Sequence, residues 1–284
     1  MKISVVIPSL GGSSLSQLIK TLDKSYILPD EVVCVIPKKK KFIPPITNKI
    51  KINIIYTNFR NQVLQRIEGI KNTKYDLILQ IDDDVIFNKY TLMNLYNAFI
   101  KKNINTSIVG PVFLTKKKKL HYDYSQENFF SELIKYTFCA APFGKNKLGN
   151  ITSLGCAFGI NYSNRMYLYP TGWLPGGCIL YHKKNSILKF PIKYRDKSYC
   201  EDIIHSIIRR KKNLKHFVVR NSKIMTDKIS YNDFNIKQIF DEFVIRKILL
   251  NYTKGNIFRF YIWCIFEIVN RVYKKLIFNN NKVI

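Results

Sequence analysis

The stretch that decides the fold is "LILQIDDDVIFNKY", Leu77–Tyr90, in which three consecutive aspartates follow an unbroken apolar run. A short, continuous apolar run is typical of a strand that is buried on both faces of a sheet. Adjacent carboxylates repel each other, so one of them tends to keep its proton unless the charge is compensated. Two interpretations follow. The aspartates bind a divalent cation, or they form a solvated acidic turn before the next helix.

The segments on either side of this stretch alternate between strand and helix patterns. Strand-like runs are "ISVVIP", "EVVCVIP", "INIIY" and "SIVGPVF", and helical spacing of apolar residues occurs in "SLSQLIKTLDKSY", in residues 61–71 and in "TLMNLYNAFIKK". This alternation predicts an α/β fold with an open, mostly parallel sheet flanked by helices. Ligands of such sheets bind beyond the carboxyl ends of the strands, where Asp82, Asp83 and Asp84 lie.

The rest of the chain is less regular. Residues of about 116–175 are aromatic and contain glycines, and we expect an irregular insertion there. The last segment, 221–284, is rich in Phe, Ile, Tyr and Lys and is predicted to be a basic, amphipathic helical extension. A length of 284 residues suits one large domain with such an appendage.

The charge balance indicates a polyanionic neighbour. There are 47 Lys and Arg against 19 Asp and Glu, a net charge of +28. Nucleic acid, an anionic membrane face and phosphorylated substrates would all be attracted. The runs "PKKKKF" and "TKKKKL" lack the aromatics and glycines of an RNA-binding sheet, and no recognition-helix motif is present. We therefore predict no nucleic-acid partner, with a basic nucleic-acid-binding protein as the alternative from another class.

Cysteine usage and hydropathy bear on location. None of the six cysteines forms a pair with the two-residue gap of a zinc or redox motif, which favours free thiols in a reducing cytosol. The start, "MKISVVIPSL", indicates a first strand and not a signal peptide. No stretch is long and uncharged enough to predict a membrane span. We expect a cytoplasmic protein.

An acidic pair opens the helical pattern "YCEDIIHSIIRR". Its apolar stripe consists of Ile203, Ile204, Ile207 and Ile208. The opposite face carries Asp202, His205, Ser206 and Arg209. Glu201 and Asp202 either favour the positive end of a helix, or one of them removes a proton from an attacking hydroxyl in a cleft.

Two further motifs have equally open interpretations. In "GWLPGGCILYH", Gly176 and Gly177 let the backbone pass close to another group, and Trp173 offers a flat face for stacking a sugar. A tight turn with a core tryptophan explains these residues as well. In "NQVLQRIEGI", Arg66 either reaches phosphates or is an ordinary surface arginine.

Taken in order, these motifs resemble the inverting family 2 of nucleotide-sugar glycosyltransferases, which have the GT-A fold. The resemblance extends over about Ile3–Val219 and rests on "VVIPSL", "LQRIEGI", "LQIDDDV", the Gly-Gly strand start and the acidic pair. It implies a GT-A-like domain over 1–220, with a nucleotide-binding half at 1–115 and an acceptor half at 116–220.

The resemblance also implies a role for each motif residue. The nucleotide sugar would be bound by Pro8, Ser9, Arg66, Asp82 and Asp83. A divalent metal, Mn²⁺ or Mg²⁺, would be bound by Asp84 and Asp82. Asp202 would be the general base. The acceptor would be bound by Trp173, Gly176, Gly177 and Glu201.

The implied activity is transfer of a sugar from a nucleotide-sugar donor to a glycan or lipid-linked acceptor, with inversion. The implied context is bacterial surface polysaccharide biosynthesis, of capsule or of lipopolysaccharide or lipooligosaccharide. The expected donor is a UDP-sugar. A dTDP- or GDP-sugar stays an alternative because "CVIPKK" lacks the aspartate with which the family contacts the base. Leu10–Gly11 and Ile67 also depart from the family pattern, so a catalytically inactive scaffold is the alternative function.

The C-terminal stretch "GNIFRFYIWCIFEIVNRVYKKLIF" is apolar but carries Arg259, Glu267, Arg271, Lys274 and Lys275. It is either a helix packed on the catalytic domain or a helix lying in an anionic membrane surface. From the second interpretation we predict peripheral contact with the inner face of the cell membrane through residues 256–278.

Overall fold

A computed structural model describes residues 1–47, 49–115, 120, 128–159, 166–190, 192, 194, 198–226 and 236–280. The strands are β1 (Ile3–Pro8), β2 (Glu31–Pro37), β3 (Ile52–Thr57), β4 (Leu77–Ile81), β5 (Ile86–Phe87), β6 (Ser107–Thr115), β7 (Leu168–Thr171), β8 (Cys178–His182) and β9 (Lys215–Thr226). The α-helices are α1 (Ser13–Asp23), α2 (Gln62–Lys71), α3 (Thr91–Lys101), α4 (Phe129–Cys139), α5 (Glu201–Lys211), α6 (Ile236–Thr253) and α7 (Ile257–Asn280).

Within the described residues, the strands form one sheet of nine strands. Its order is β3-β2-β1-β4-β8-β6-β9-β5, and β7 pairs with β9. The pairs β3–β2, β2–β1, β1–β4 and β6–β9 are parallel, whereas β8 is antiparallel to both of its neighbours. The α/β fold with a mostly parallel central sheet flanked by helices is therefore confirmed.

The continuous apolar runs form the centre of this sheet. Every residue of β1, β2 and β4 is buried, as a strand covered on both faces requires. Helix α2 packs against β1 and β2 at Gly69, where an added Cβ would lie 2.5 Å from Val6 Cγ1 and 3.0 Å from Val35 Cγ2. The glycine thus permits the close approach that holds α2 above the carboxyl ends of these strands.

The segment that we expected to be an irregular insertion, 116–175, contains regular elements. Helix α4 and strand β7 lie in it, while residues 116–119, 121–127 and 160–165 are outside the described residues. The prediction missed α4 because none of its residues is buried, so it has no core-facing apolar stripe.

The chain divides into two compact units. One comprises 1–122 and 162–227, and the other comprises 123–161 and 228–284. This grouping differs from our division at residue 220, which falls inside β9. The strand continues past that position because its pairing with β6 extends to Thr115 and Thr226.

The second unit contains α4, α6, α7 and the loop of 140–159. Its small core consists of Leu154, Leu250, Phe260, Trp263 and Cys264. Arg271 bridges Glu242, at 2.7 Å, and Glu267, at 2.9 Å. Arg246 pairs with the same Glu242 at 2.9 Å and stacks on Trp263 at 4.6 Å. The described charges of α7 are therefore tied into contacts within the unit.

Between Ile257 and Tyr273, α7 exposes many large apolar side chains. Its exposed large side chains are Ile257, Phe258, Tyr261, Ile262, Ile265, Ile268, Val269, Val272 and Tyr273. Among the helices described, none combines the length and the apolar character needed to cross a bilayer.

Candidate active site

The three aspartates leave the carboxyl end of β4, between the neighbouring strands β1 and β8. The Asp82 amide donates to the carbonyl oxygen of Gly177 at 2.9 Å, which joins the triplet to the turn before β8. The sequence predicted that the aspartate triplet and the glycine pair lie at strand ends, but it did not predict that they are neighbours. The sheet order brings them together at the edge where ligands of open α/β sheets bind.

Arg66 is the centre of this region. Its guanidinium is 2% exposed; Nη2 donates to Asp82 Oδ1 at 2.6 Å, and Nη1 donates to Glu201 Oε1. Burial alone would lower the pKa of Arg66, but the two carboxylates raise it above its ordinary value. The surface-arginine interpretation is therefore wrong: Arg66 is a buried cation that joins the end of β4 to the start of α5.

Glu201 is held as a carboxylate. Burial would raise its pKa, but Arg66 and His205 lower it below the ordinary value. His205 Nδ1 lies 3.1 Å from Glu201 Oε2, and its ring stands edge-on to Phe190 at 4.7 Å. Arg66 occupies one carboxylate oxygen of Glu201, and His205 approaches the other. Glu201 therefore holds Arg66 and His205 in place and is not suited to accept a proton near neutral pH.

Asp202, next to Glu201, has the opposite electrostatic environment. Its side chain is half-buried, and Oδ1 accepts from the amide of Ile203 at 2.8 Å. Burial, and then the negative charge of Glu201, raise the pKa of Asp202 to about 7. A carboxyl group that titrates near the working pH is matched to general acid–base chemistry. Their environments thus hold Glu201 as an anion and let Asp202 change its charge near neutral pH.

The glycine pair gives the ion pair its space. An added Cβ at Gly176 would collide with Glu201 Oε1 and lie 3.3 Å from Arg66 Nη1. At Gly177 it would lie 3.2 Å from Asp82 Oδ2. The backbone does pass close to other groups, as predicted, and these groups are the side chains of Arg66, Glu201 and Asp82. Whether an acceptor also contacts these glycines stays a prediction.

Ser9 connects the end of β1 to the aspartate triplet. It follows Pro8, the last residue of the strand, and its hydroxyl donates to Asp83 Oδ2. Its amide donates to Val35 O at 3.0 Å, and its carbonyl accepts from Gln65 Nε2 at 3.0 Å. Burial raises the pKa of Asp83, although the bond from Ser9 opposes this. Pro8, Ser9 and Asp83 are therefore one connected group, as a shared ligand would require.

Asp84 is exposed, whereas Asp82 Oδ1 is already bonded by Arg66 and by Gln62 Nε2 at 2.8 Å. Across the described ranges, no group of three or more His, Cys, Asp or Glu side chains is arranged to hold a metal ion. Hard divalent cations are often held by one or two carboxylates together with phosphate oxygens of a substrate. The donor set fits a metal that binds with its substrate and does not fit a closed protein cage.

Trp173 is 5% exposed and belongs to the core, as in the core-tryptophan interpretation. The neighbouring Leu174 amide donates to Ser206 Oγ at 3.3 Å, which fixes this segment against α5. Trp173 therefore does not offer an open face on which a sugar stacks.

Sequence reasoning missed the polar residues that support the site. Gln62 and Gln65 precede Arg66 by four and one positions on α2, and Gln80 Nε2 donates to Gly176 O at 2.7 Å. On α5 the face opposite the isoleucine stripe is also buried, with His205, Ser206 and Arg209 each at most 6% exposed. The sequence signal that could have revealed these buried polar residues is their clustering on one face of a helix whose other face is apolar.

Similarity to known proteins is found at the level of the fold. A scan against protein-family profiles and a search of curated proteins both find no match. Among solved structures, GalNAc-T7 crystallised with UDP, GalNAc and Mn²⁺ is similar at 12% identity and a TM-score of 0.55, over 80% of this chain and 43% of that one. TarS of S. aureus, residues 1–349, is similar at 16% identity and a TM-score of 0.50, over 89% of this chain and 65% of that one.

The chain thus spans less than two thirds of either structure that it matches. At such identities the similarity concerns the fold, which is the GT-A-like architecture that the motif order implies.

Proposed function

We propose that this protein is a glycosyltransferase that moves a sugar from a nucleotide donor to an acceptor hydroxyl. One observation carries the proposal: buried Arg66 joins Asp82, at the carboxyl end of β4, to Glu201, directly beside an Asp202 whose pKa is raised to about 7. A donor-side carboxylate and a proton acceptor are thereby held on one rigid support. The likeness in fold to GalNAc-T7, crystallised with UDP, GalNAc and Mn²⁺, adds support.

The donor would lie across the strand ends, against Pro8, Ser9, Asp82 and Asp83, with Arg66 fixing Asp82 from below. A UDP-sugar is our first choice because UDP is bound in GalNAc-T7, with dTDP- and GDP-sugars as alternatives. Asp84 and Asp82 would hold Mn²⁺ or Mg²⁺ together with the diphosphate, and the metal would offset the charge of the leaving group.

Asp202 would act on the acceptor. Its carboxylate takes the proton of an acceptor hydroxyl as the oxygen attacks the anomeric carbon from the face opposite the diphosphate. The bond from that carbon to the diphosphate oxygen breaks, and its electron pair leaves with the nucleoside diphosphate. Attack from the opposite face inverts the configuration. Glu201 stays ionised throughout because Arg66 and His205 hold its pKa low.

The acceptor would be a glycan or a lipid-linked sugar. It would approach the turn of Gly176 and Gly177 near Glu201, with Trp173 supporting that turn from the core. A pathway that builds a bacterial surface polysaccharide is the proposed context.

Residues 256–278 would place the protein on the inner face of the cell membrane. The described charges of α7 are tied into contacts within its own unit, with Arg271 paired to Glu242 and Glu267, while its outer face is apolar. A helix with that arrangement lies well at the boundary between headgroups and acyl chains. Full-length protein should pellet with anionic vesicles at physiological salt, and Ile265→Asp with Val269→Asp should abolish pelleting. Recovery of the wild type in the supernatant would contradict the membrane proposal.

The donor site is tested by thermal unfolding with nucleotide sugars and nucleoside diphosphates, each with Mn²⁺, Mg²⁺ or chelator. A ligand that binds the native state raises Tm by mass action. We expect a metal-dependent rise with one nucleotide class that Asp84→Ala abolishes. The matched control is Asp76→Ala, an exposed aspartate directly before β4, at its other end. No rise with any nucleotide would favour the inactive scaffold.

A further inference from the structure

A cavity unrelated to the aspartates lies in the first unit. It has a volume of about 500 Å³ and is lined by the apolar side chains of Ile86, Val112, Leu114, Leu120 and Met225. That volume is in the range of sites that take small organic ligands. Among the described residues, Asn88 and two cations, Arg220 and Lys223, also line the cavity. A cavity with an apolar interior and a basic side suits a ligand with an apolar chain and an anionic head.

The cavity is separate from the proposed donor site. Val112 and Leu114 line it from β6, and the side chain of Phe113 between them points to the other face of that strand. On that other face, Phe113 Cε1 and Asp82 Oδ2 both lie within 3.4 Å of where a Cβ at Gly177 would be. One strand therefore lies between the cavity and Asp82, and a molecule in the cavity is not the sugar donor.

An irregularity in β9 brings both cations to the cavity. Residues three apart on a regular strand point to opposite faces. Here Val219 pairs with Pro111 and Lys223 pairs with the next residue, Val112, so residues 220–222 bulge out of the ladder. Such bulges re-aim side chains, and this one places Arg220 and Lys223 in one lining. In the described parts of the chain, neither side chain takes part in an ion pair.

We propose that this cavity binds one acyl chain of an anionic membrane phospholipid, with the phosphate on Arg220 and Lys223. The apolar lining accounts for the chain, and the two cations, which have no carboxylate partner among the described residues, account for the phosphate. The proposal stands independently of sugar transfer, because β6 separates the ligand from Asp82. Under this proposal the first unit contacts lipid through the cavity, in addition to the membrane contact proposed for α7 in the second unit.

The test is isothermal titration of the full chain with dodecyl phosphate below its micelle concentration. Dodecanol and inorganic phosphate serve as chain-only and head-only probes. We expect saturable binding of dodecyl phosphate, and binding at least tenfold weaker for each partial probe. Arg220→Gln with Lys223→Gln should weaken dodecyl phosphate binding at least tenfold. Arg210→Gln with Lys212→Gln, an exposed pair with the same charge change, should leave it unchanged.

A second variant tests the apolar part. Leu114→Trp fills the cavity and should abolish dodecyl phosphate binding while the Tm rise with nucleotide is retained. If it unfolds the protein, the two charge variants still decide. Equal losses in both charge variants, or inorganic phosphate binding as tightly as dodecyl phosphate, would overturn the proposal. A failed nucleotide titration with intact dodecyl phosphate binding would contradict only the transferase.

Discussion

Among the described residues, each compact unit contains a network of arginine and carboxylate side chains, and the two networks differ in their balance of charges. In the second unit two arginines, Arg246 and Arg271, face two glutamates, and the pKa of Glu242 is lowered despite its burial. In the first unit Arg66 is bonded to both Asp82 and Glu201, and Asp202 follows directly in the chain.

This difference supports the proposal that the network of the first unit takes part in catalysis. A balanced network keeps each group in its ordinary charge state and contributes to structure. In the unbalanced one, burial and then the negative charge of Glu201 raise the pKa of Asp202 to about 7, and Arg66, which bonds two other carboxylates, opposes this only in part. Strongly shifted groups in a cleft are the usual candidates for catalysis.

The largest effect should come from Arg66→Met. It leaves two carboxylates facing each other without a cation, which for a buried pair costs about 3–5 kcal/mol of unfolding free energy. Urea unfolding followed by circular dichroism measures this, and sugar transfer should be lost as well.

The comparison variant is Arg271→Met in the balanced network. Arg271 is 24% exposed, so solvent screens its pair with Glu242 in part, and Glu242 keeps Arg246 as a partner when Arg271 is replaced. We therefore expect a loss of about 1 kcal/mol, the upper end of the range for screened pairs. If Arg271→Met destabilised the protein as much as Arg66→Met, the distinction between the two networks would be wrong.

Asp202→Asn should reduce kcat by about a hundredfold to ten-thousandfold, the typical contribution of a general base. Tm with the nucleotide donor should still rise, because the donor contacts are elsewhere. Asp241→Asn, a half-buried aspartate on α6 in the other unit, is the control. Full activity of Asp202→Asn would remove the base from the proposed mechanism.

The pH profile of kcat/KM sharpens the electrostatic argument. Because the base must be deprotonated, the rate should rise with pH and level off above about 7, the raised pKa of Asp202. Glu201→Gln removes a neighbouring negative charge and should move the midpoint to lower pH. Glu267→Gln, in the balanced network, should leave it in place. A midpoint that Glu201→Gln does not move would show that the shift has another cause.

The smallest effect concerns stability. The pKa of Asp202 is raised on folding, so the group favours the folded state when protonated and opposes it as pH rises towards about 7. Asp202→Asn should therefore raise Tm by a few degrees at pH 8 and by less at pH 5. An equal change at both pH values would mean that the carboxylate is not strained by burial.

The sequence predicts the fold well because its evidence is local. Continuous apolar runs and helical spacing identify β1, β4, α2 and α5 without knowledge of their neighbours. The aspartate triplet at the end of β4 then follows from its position after such a run.

Contacts between distant residues could not be predicted in this way. The bond from Arg66 to Glu201 spans 135 positions and depends on the sheet order. The burial of Trp173 depends on tertiary packing, and the local sequence pattern fits a core residue and a cleft residue equally well. Helix α4 was missed because exposed aromatics such as Phe129 and Phe130 give no core-facing stripe.

The position of Arg66 in the chain also has a consequence for folding. Its first partner, Asp82, is 16 residues away, whereas Glu201 is made only after most of the sheet has been synthesised. Contacts between residues so far apart form slowly, because a long loop has to close first. In a nascent chain that ends before α5, Arg66 has Asp82 as a partner but still lacks Glu201. The site is therefore completed, and the unit reaches its full stability, only after α5 has been synthesised.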